Sequence, residues 1–516
     1  MAGAAQLTAN GATGAALSGL PLWGAGFVLA LANFMSVLDS TIANVSVPHI
    51  AGGLAVSPNE GTWVITSYSV AEAITVPLTG WLAQRFGAVR VFTTALALFG
   101  LFSALCGLAP SLTFLVICRV LQGLAGGPMI PLSQTLLLRV FPPKLAPQAI
   151  GLWSMTTVVA PIAGPLLGGM LCDEAGWPWV FYINVPVAAA VAFASWRMIT
   201  PFETAVWRRP VDFVGLALLI LWVGCMQIML DKGEESDWFN SSFIVALAII
   251  AVIGFFAFVI WELTAEDPVV NLRLFGNRAF ATSAAVMTLT YGAFIVSVVM
   301  VPLWLQTSLG FTATWAGRVT AMNGMSAVIM SPIAAQLVRR FDPRILVNYG
   351  VGCMALVMFW RSFFNTEMNY WALALPQFAL GFFMPFFFVP VTSMAMGALK
   401  PEQTAAGAGL ISFTRTTAGA FGVSLGTTAW SNATIKAHSN AAGALNDASA
   451  IAQQLINVGF SPAQAIGNIE RLVQVQAVML ATNHMFKIIA AIMAVAALSA
   501  WIAPKPKGPV QARADH

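Results

Sequence analysis

Long apolar stretches separated by short polar breaks run through the chain from about Leu22 almost to its C-terminus. A membrane-spanning helix needs roughly 20 mainly apolar residues, because every backbone polar group has to be satisfied inside the segment once water is gone. Runs of that kind predict about fourteen helices, centred near Ala32, Ile74, Phe99, Ala125, Val159, Ala189, Leu219, Val252, Ala293, Ala327, Leu356, Phe382, Gly419 and Ala491. Their connectors are short with one exception. Residues 431–473 are rich in Asn, Gln, Ser and Ala, polar enough to sit in water and predicted to form a helical hairpin of their own. The spacing divides the chain into two similar six-span halves, 20–200 and 280–503, with an extra hairpin at 211–263. The join before that hairpin is charged and broken by prolines (Pro201, Glu203, Arg208, Arg209, Pro210, Asp212), as a linker should be.

Composition confirms the solvent. The 516 residues are 58% hydrophobic and 9% charged, with a mean hydropathy of +0.81, far from the soluble norm of about 45–50% apolar and about 25% charged. A net charge of +4 makes no case for nucleic acid as a partner, and the 17 Trp and 35 Phe suit interfacial belts and lipid-facing surfaces. Short cytoplasmic loops carry the excess of Lys and Arg. With the N-terminus inside, the inner segments hold Arg85, Arg90, Arg139, Lys144, Arg197, Arg208, Arg209, Arg273, Arg278, Arg339, Arg340, Arg344, Lys400, Lys505, Lys507 and Arg513, whereas the outer ones hold only Lys232, Arg361, Lys436 and Arg471. Both termini are then cytoplasmic, and 431–473 faces outward. The first residues are Ala/Gly-rich and uncharged, unlike the basic start of a cleaved signal, so the first apolar helix is expected to stay in the mature protein. Cys106, Cys118, Cys172, Cys225 and Cys353 are scattered singly and read as free, buried thiols.

Charges inside the spans are the informative residues. At the bilayer midplane a charge costs at least ~2.5–3.5 kcal/mol, so one kept there binds a proton, an ion or a partner. Asp39 lies in the first span and Arg119 in the fourth. Three readings stand: a proton-coupling pair whose carboxyl responds to desolvation and to the nearby guanidinium, a structural ion pair, or an Asp39 that touches substrate alone. Glu72, in the second span, is either a second proton site or cationic-substrate contact, or a snorkelling or inter-helix hydrogen-bonding group. Arg415 lies within the thirteenth span and needs an internal partner, whether an anionic or amphipathic substrate or another helix, while Arg318 sits nearer an outer end. Phe382 and Phe386, in an aromatic and Met-rich stretch of the twelfth span, either line a greasy pocket or face lipid and core. Gly164-Pro165 and Gly168-Gly169 put small residues on one face of the fifth span, allowing close packing and a bend. Gly422-Val423-Ser424-Leu425-Gly426 matches a hydrolase nucleophile pattern, but in a membrane helix it reads as packing. There is no H-E-x-x-H and no phosphate-binding loop, so neither a metal centre nor nucleotide hydrolysis is indicated.

Several motifs occur in order along the chain. Gly80-Trp81-Leu82-Ala83-Gln84-Arg85-Phe86-Gly87 with Arg90 resembles the loop between the second and third helices of the major facilitator superfamily. Leu115 with Arg119, Gln122 and Gly123 resembles the fourth-helix motif of its proton-coupled members, and Gly151 with Ala160-Pro161 and Gly164 to Gly169 resembles the antiporter motif. Leu38-Asp39-Ser40-Thr41-Ile42-Ala43-Asn44-Val45 with Pro48 resembles the first-helix signature of the fourteen-helix drug:proton antiporters. The match continues through Trp63 to Tyr68, Phe181 to Pro186, Leu230 to Gly233 and Phe413 to Arg415, and so covers nearly the whole chain.

That resemblance implies an all-α membrane protein of the major facilitator fold, two six-helix bundles plus an inserted transmembrane hairpin. It also implies a proton-coupled, non-enzymatic multidrug antiporter of the bacterial inner membrane, without a cofactor, driven by the proton gradient and exporting hydrophobic or amphipathic compounds. Proton coupling would rest on Asp39, Glu72 and Arg119, and substrate contact on Asn44, Gln122, Phe382, Phe386 and Arg415. Gating would rest on Gly80, Arg85, Gly87, Arg90, Gly164, Pro165, Gly168 and Gly169; positive-inside anchoring alone also accounts for the two arginines. Its partners would be an EmrA-like periplasmic adaptor and a TolC-like outer-membrane channel, with 431–473 as a docking element. Gln84 departs from the family, which usually carries an acid there. Two rival functions remain: export of one metabolite or fatty acid, and a sensor or assembly protein that moves nothing.

Overall fold

The computed structural model describes residues 17–206, 211–444 and 448–504, and within them all regular secondary structure is helical. The reading of the first residues, and Arg208, Arg209 and Pro210 of the linker, therefore lie outside the described residues. The first half comprises α1 (Leu20–Gly53), α2 (Pro58–Gly61), α3 (Trp63–Thr75), α4 (Thr79–Phe86), α5 (Ala88–Gly107), α6 (Leu112–Gly126), α7 (Met129–Val140), α8 (Ala146–Glu174), α9 (Trp179–Tyr182) and α10 (Asn184–Ile199). The inserted pair is α11 (Phe213–Lys232) and α12 (Ser242–Thr264). The second half comprises α13 (Arg278–Thr307), α14 (Ala313–Leu337), α15 (Pro343–Arg361), α16 (Tyr370–Phe383), α17 (Pro385–Gly397), α18 (Thr404–Ala444), α19 (Ala448–Asn457) and α20 (Pro462–Ser499).

Proline explains why some expected spans arrive in two pieces. Lacking an N–H and crowding the preceding turn, it breaks the α-helical ladder. Pro77 separates α3 from α4, Pro128 separates α6 from α7, and Pro385 opens α17 directly after α16. Among the described residues ten helices are long and apolar enough to cross a membrane, and Ala146–Pro161 with Leu166–Glu174, meeting at 48°, makes an eleventh. The remaining expected spans, α3 with α4, α14 and α18, are helical but more polar. All of them pack where the two halves meet, which is where polar side chains avoid lipid. The count of fourteen thus goes beyond what length and apolarity carry.

Packing follows the two halves. In the first, α1 lies along α8, α3 along α6, and α5 along both α6 and α10; in the second, α13 lies along α18, α14 along α16, and α15 and α18 along α20. The halves meet through α8 with α14 and α17, and through α4 and α7 with α18. A Cβ on Gly80 would sit 2.6 Å from the Cα of Ala406, and one on Gly151 would sit 3.2 Å from the carbonyl oxygen of Ser331. Ile150, Ala335 and Val389 form a small apolar cluster beside this contact. All of these lie toward the Arg-rich loops.

The hairpin packs against both halves. Trp222 of α11 makes edge contacts with Phe255 of α12 and Phe413 of α18 at 5.1 and 5.8 Å. At its outer turn, Ser424 Oγ donates to the Leu230 carbonyl at 2.7 Å and Trp238 Nε1 donates to Thr428 Oγ1 at 3.0 Å. Lys232 pairs with Glu235 at 2.9 Å and reaches Thr62 beyond the start of α3. Gly422 meets the backbone of Gly292, so the Gly-x-Ser-x-Gly stretch is a packing motif of α18 and α13.

One expectation needs correction. Residues 431–473 do not form a separate hairpin: α18 and α20, at 41 and 38 residues, run on through this segment as unbroken helices, with α19 between them. The His438 imidazole and Glu470 carboxylate meet at 2.8 Å between them. The cysteines are free, as expected, but only Cys106, Cys118 and Cys172 are buried; Cys225 and Cys353 are half-buried.

Candidate functional site

Asp39 and Arg119 meet, completely buried, in the centre of the first half. Arg119 Nη1 donates to Asp39 Oδ2 at 2.7 Å, and neither side chain is more than 1% exposed. The other carboxylate oxygen, Oδ1, accepts from Gln122 Nε2 at 3.1 Å and from Asn184 Nδ2 at 2.6 Å. Gln122 Oε1 accepts in turn from Arg119 Nη1 at 2.8 Å, and Arg119 Nε donates to the Val64 carbonyl at 3.1 Å. The Tyr68 ring lies 4.1 Å from the guanidinium carbon, adding a cation–π contact. Every contact on the carboxylate comes from an N–H donor, which suits the ionised form.

Glycine lets these helices approach. A Cβ on Gly123 would sit 2.5 Å from the Tyr68 carbonyl oxygen, bringing α6 against α3; one on Gly164 would sit 2.2 Å from Thr41 Oγ1, bringing α8 against α1. Gly168 packs on Ile42, while Gly169 has open space around it. Asn33 adds a polar clamp, donating to Thr156 Oγ1 and Thr157 Oγ1 at 2.8 Å. Pro165 lies in α8 where the two segments of that helix meet.

The structure redistributes the other candidates. Gln122 belongs to the Asp39 shell, with both ends of its amide hydrogen-bonded there. Asn44 is exposed and joins neither that shell nor the cavity between the halves. Phe386 is buried in a second-half core with Met330, Ala334 and Leu346, against which Phe382 packs, and its ring meets that of Tyr349 edge-on at 5.7 Å. Of that stretch, Met384 lines the cavity. Glu72, partly buried on α3, stands outside the Asp39 hydrogen-bond shell, within range of the charges of Asp39, Arg119 and Arg415.

A small cavity lies between α8 of the first half and α13, α14 and α16 of the second. Thr157, Pro161, Tyr291, Thr320, Asn323 and Gln377 line it together with Phe294, Ile295, Val298 and Met384. Gln377 also holds Arg361, accepting from Nη2 at 2.7 Å.

At the inner loop Gly87 has φ +93°, a conformation side chains with a Cβ rarely adopt. A Cβ there would also collide with the Glu203 carboxylate at 2.7 Å. Glu203 accepts from the backbone N–H groups of Val89 and Arg90 at 2.9 and 3.0 Å, and Arg90 Nε lies 3.9 Å away. An acid thus caps the start of α5 from the inter-domain linker. Arg85 stacks on Trp81 and Phe86.

Glu203 was legible in the sequence only as a linker charge, and Asn184 only as part of a matched motif. An Asn opening a span beside Pro186 was the available signal for the second.

Two helical halves around a small, mainly apolar cavity, with a buried acid–guanidinium pair in one of them, define a membrane transporter fold. The Major Facilitator Superfamily model matches residues 29–423. The chain is 43% identical to Multidrug export protein EmrB of Escherichia coli K12 over 95% of its own length and 97% of that protein. It is 40% identical to Fatty acid resistance protein FarB of Neisseria gonorrhoeae over 93% of the chain and 95% of that protein. Among solved structures, the proton:xylose symporter XylE superposes with a TM-score of 0.61 at 14% identity, covering 94% of this chain and 96% of that one. The human organic anion transporter MFSD10 gives 0.56 at 14%, covering 92% and 99%. The chain is an EmrB-like member of the major facilitator superfamily.

Proposed function

We propose that the protein is a proton-coupled multidrug efflux antiporter that exports hydrophobic and amphipathic compounds by alternating access between the two halves. The observation that carries this reading is the solvent-free Asp39–Arg119 pair. A charge pair buried at this depth is costly to keep, and a carboxylate whose charge is favoured by Arg119, Gln122 and Asn184 holds them less tightly once it takes a proton, which is what a coupling device needs. In the cycle, Asp39 gives up its proton toward the cytoplasm as substrate binds. Reprotonation from the outside frees Arg119, Gln122 and Asn184 and drives release. The units 20–200 and 280–503 rock about the Gly80–Ala406 and Gly151–Ser331 contacts, and the 211–263 hairpin travels with α18, to which it is bonded.

The topology has both termini in the cytoplasm and the membrane as the bacterial inner membrane, as the Arg-rich loops require. The outward continuations of α18 and α20 are then placed to meet an EmrA-like adaptor leading to a TolC-like channel. Removing residues 434–470 should leave transport in vesicles intact and abolish adaptor pull-down; retained pull-down refutes the docking assignment.

The coupling test is substrate-dependent proton exchange in proteoliposomes. Exchange that stops on collapse of the pH difference supports the reading, and export that continues with no ion gradient overturns it. A second reading, export of a fatty acid, is supported by the similarity to FarB. A substrate panel in an efflux-deficient host separates the two.

A further inference from the structure

The inner end of the inserted hairpin holds two acids that face each other. Asp212 immediately precedes α11, and its Oδ1 caps that helix by accepting from the Gly215 N–H at 2.9 Å. Its Oδ2 accepts from Trp261 Nε1 of α12 at 2.8 Å. Glu262, the next residue of α12, is completely buried, and its Oε2 accepts from the Val270 N–H at 3.0 Å. Its other oxygen, Oε1, is buried too and has no hydrogen-bond partner among the described residues. Gly215 leaves room between the two carboxyl groups: a Cβ there would lie 2.4 Å from Asp212 Oδ2 and 2.6 Å from Glu262 Oε1. Both oxygens therefore border one gap, no wider than those two distances together.

Among the described residues no basic side chain fills that gap. Of the elements packed on α12, α11 brings Asp212 itself, while its Asp231 and Lys232 lie at the opposite end of the hairpin. The turn Trp238–Asn240, at that opposite end, carries no charge. The turn Leu272–Gly276 brings Arg273, whose Nη2 donates to the Leu263 and Ala265 carbonyls at 3.2 and 2.9 Å and so closes the end of α12. The link before that turn adds only two more acids, Glu266 and Asp267. Two carboxylates, one of them out of water, do not both stay charged across so short a gap, so a positive charge has to come from elsewhere. A metal ion fits poorly. Hard cations such as calcium and magnesium take about six or more oxygens, and the described residues hold no group of three or more His, Cys, Asp or Glu able to seat one. A proton needs one oxygen to carry it and a second to accept from it.

We propose that Asp212 and Glu262 hold one resident proton, carried on Glu262 Oε1 and directed at Asp212 Oδ2, which fastens the two legs of the hairpin to each other. This site is separate from the Asp39–Arg119 pair, and its proton is not the one exchanged in the cycle proposed above. Its loss sets two like charges against each other. Because Asp212 is both the cap of α11 and the acceptor for Trp261, that repulsion opens the inner end of the hairpin.

The test is infrared spectroscopy of the full chain in lipid nanodiscs at neutral pH, read at the C=O stretch of a protonated carboxyl and its shift in heavy water. E262Q, whose amide N–H replaces the acid O–H, should lose one such band relative to wild type and retain substrate-dependent proton exchange in proteoliposomes. Wild-type and E262Q spectra that coincide in this region overturn the proposal. So does saturable binding of radioactive sodium ion to wild type that E262Q abolishes, since the occupant is then a metal ion. E262Q that folds and loses the band but no longer exchanges protons places Glu262 in the transport cycle and overturns the resident role. Should E262Q not fold, D212N decides: changing the acceptor should shift or remove the band, and identical wild-type and D212N spectra overturn the proposal.

Discussion

Replacing Asp39 by Asn separates a coupling role from a purely structural one. The substitution removes the charge 2.7 Å from Arg119 Nη1 and places an amide against three existing donors, those of Arg119, Gln122 and Asn184. Arg119, completely buried, is left without a counter-charge. Breaking a buried ion pair from one side costs about 3–5 kcal/mol, whereas replacing both partners with neutral groups is often close to neutral. Thermal unfolding in detergent should show Asp39→Asn strongly destabilised, with the Asp39→Asn, Arg119→Gln double variant recovering most of the loss. Substrate-dependent proton exchange in proteoliposomes should be absent in both. A double variant that is stable and still exchanges protons for substrate would show that the pair only supports the fold, and the proposed cycle would be wrong.

Three further outcomes are expected. Asn184→Ala removes the 2.6 Å donor to Asp39 Oδ1 and should lower exchange by about tenfold or more while the chain stays folded, a charged hydrogen bond being worth about 1.5–3 kcal/mol; unchanged exchange removes Asn184 from the centre. Gly80→Val drives a branched side chain into Ala406, whose Cα lies 2.6 Å from the Cβ position, so spin labels at Phe86 and Glu402 should report longer distances; an unchanged distribution refutes the contact as a closing point. Glu203→Ala strips the cap from α5 and should cost about 1 kcal/mol of stability, whereas Glu203→Ser should recover part of it; equal stability of the alanine variant and wild type contradicts the cap.

Helices, their approximate centres and the charges inside them were legible in the sequence because the bilayer imposes a one-dimensional rule. Apolar run length and Lys/Arg bias follow from local composition alone, and intramembrane charges stand out against it. Asp39 and Arg119 were found that way, and the ordered motifs placed them in their family. What the pattern does not encode is which face of a helix meets which neighbour. From the sequence Phe382 and Phe386 fitted either a pocket or a lipid or core face, and packing put Phe386 in the second-half core with Phe382 against it; Asn44, a substrate contact by resemblance, is exposed on α1.

Composition and periodicity thus determined a multi-pass helical protein with a buried acid and its guanidinium. The tertiary structure decided who completes that centre and where charge is left open. Asn184 reaches Asp39 across 145 positions of chain, and Glu203 reaches the start of α5 across 114. Arg415 ends between two rings, with no hydrogen-bond acceptor among the described residues, where α8, α13 and α18 converge. Such contacts are set by rotation and close approach of packed helices, quantities that depend on several distant segments at once and leave no local mark on any of them.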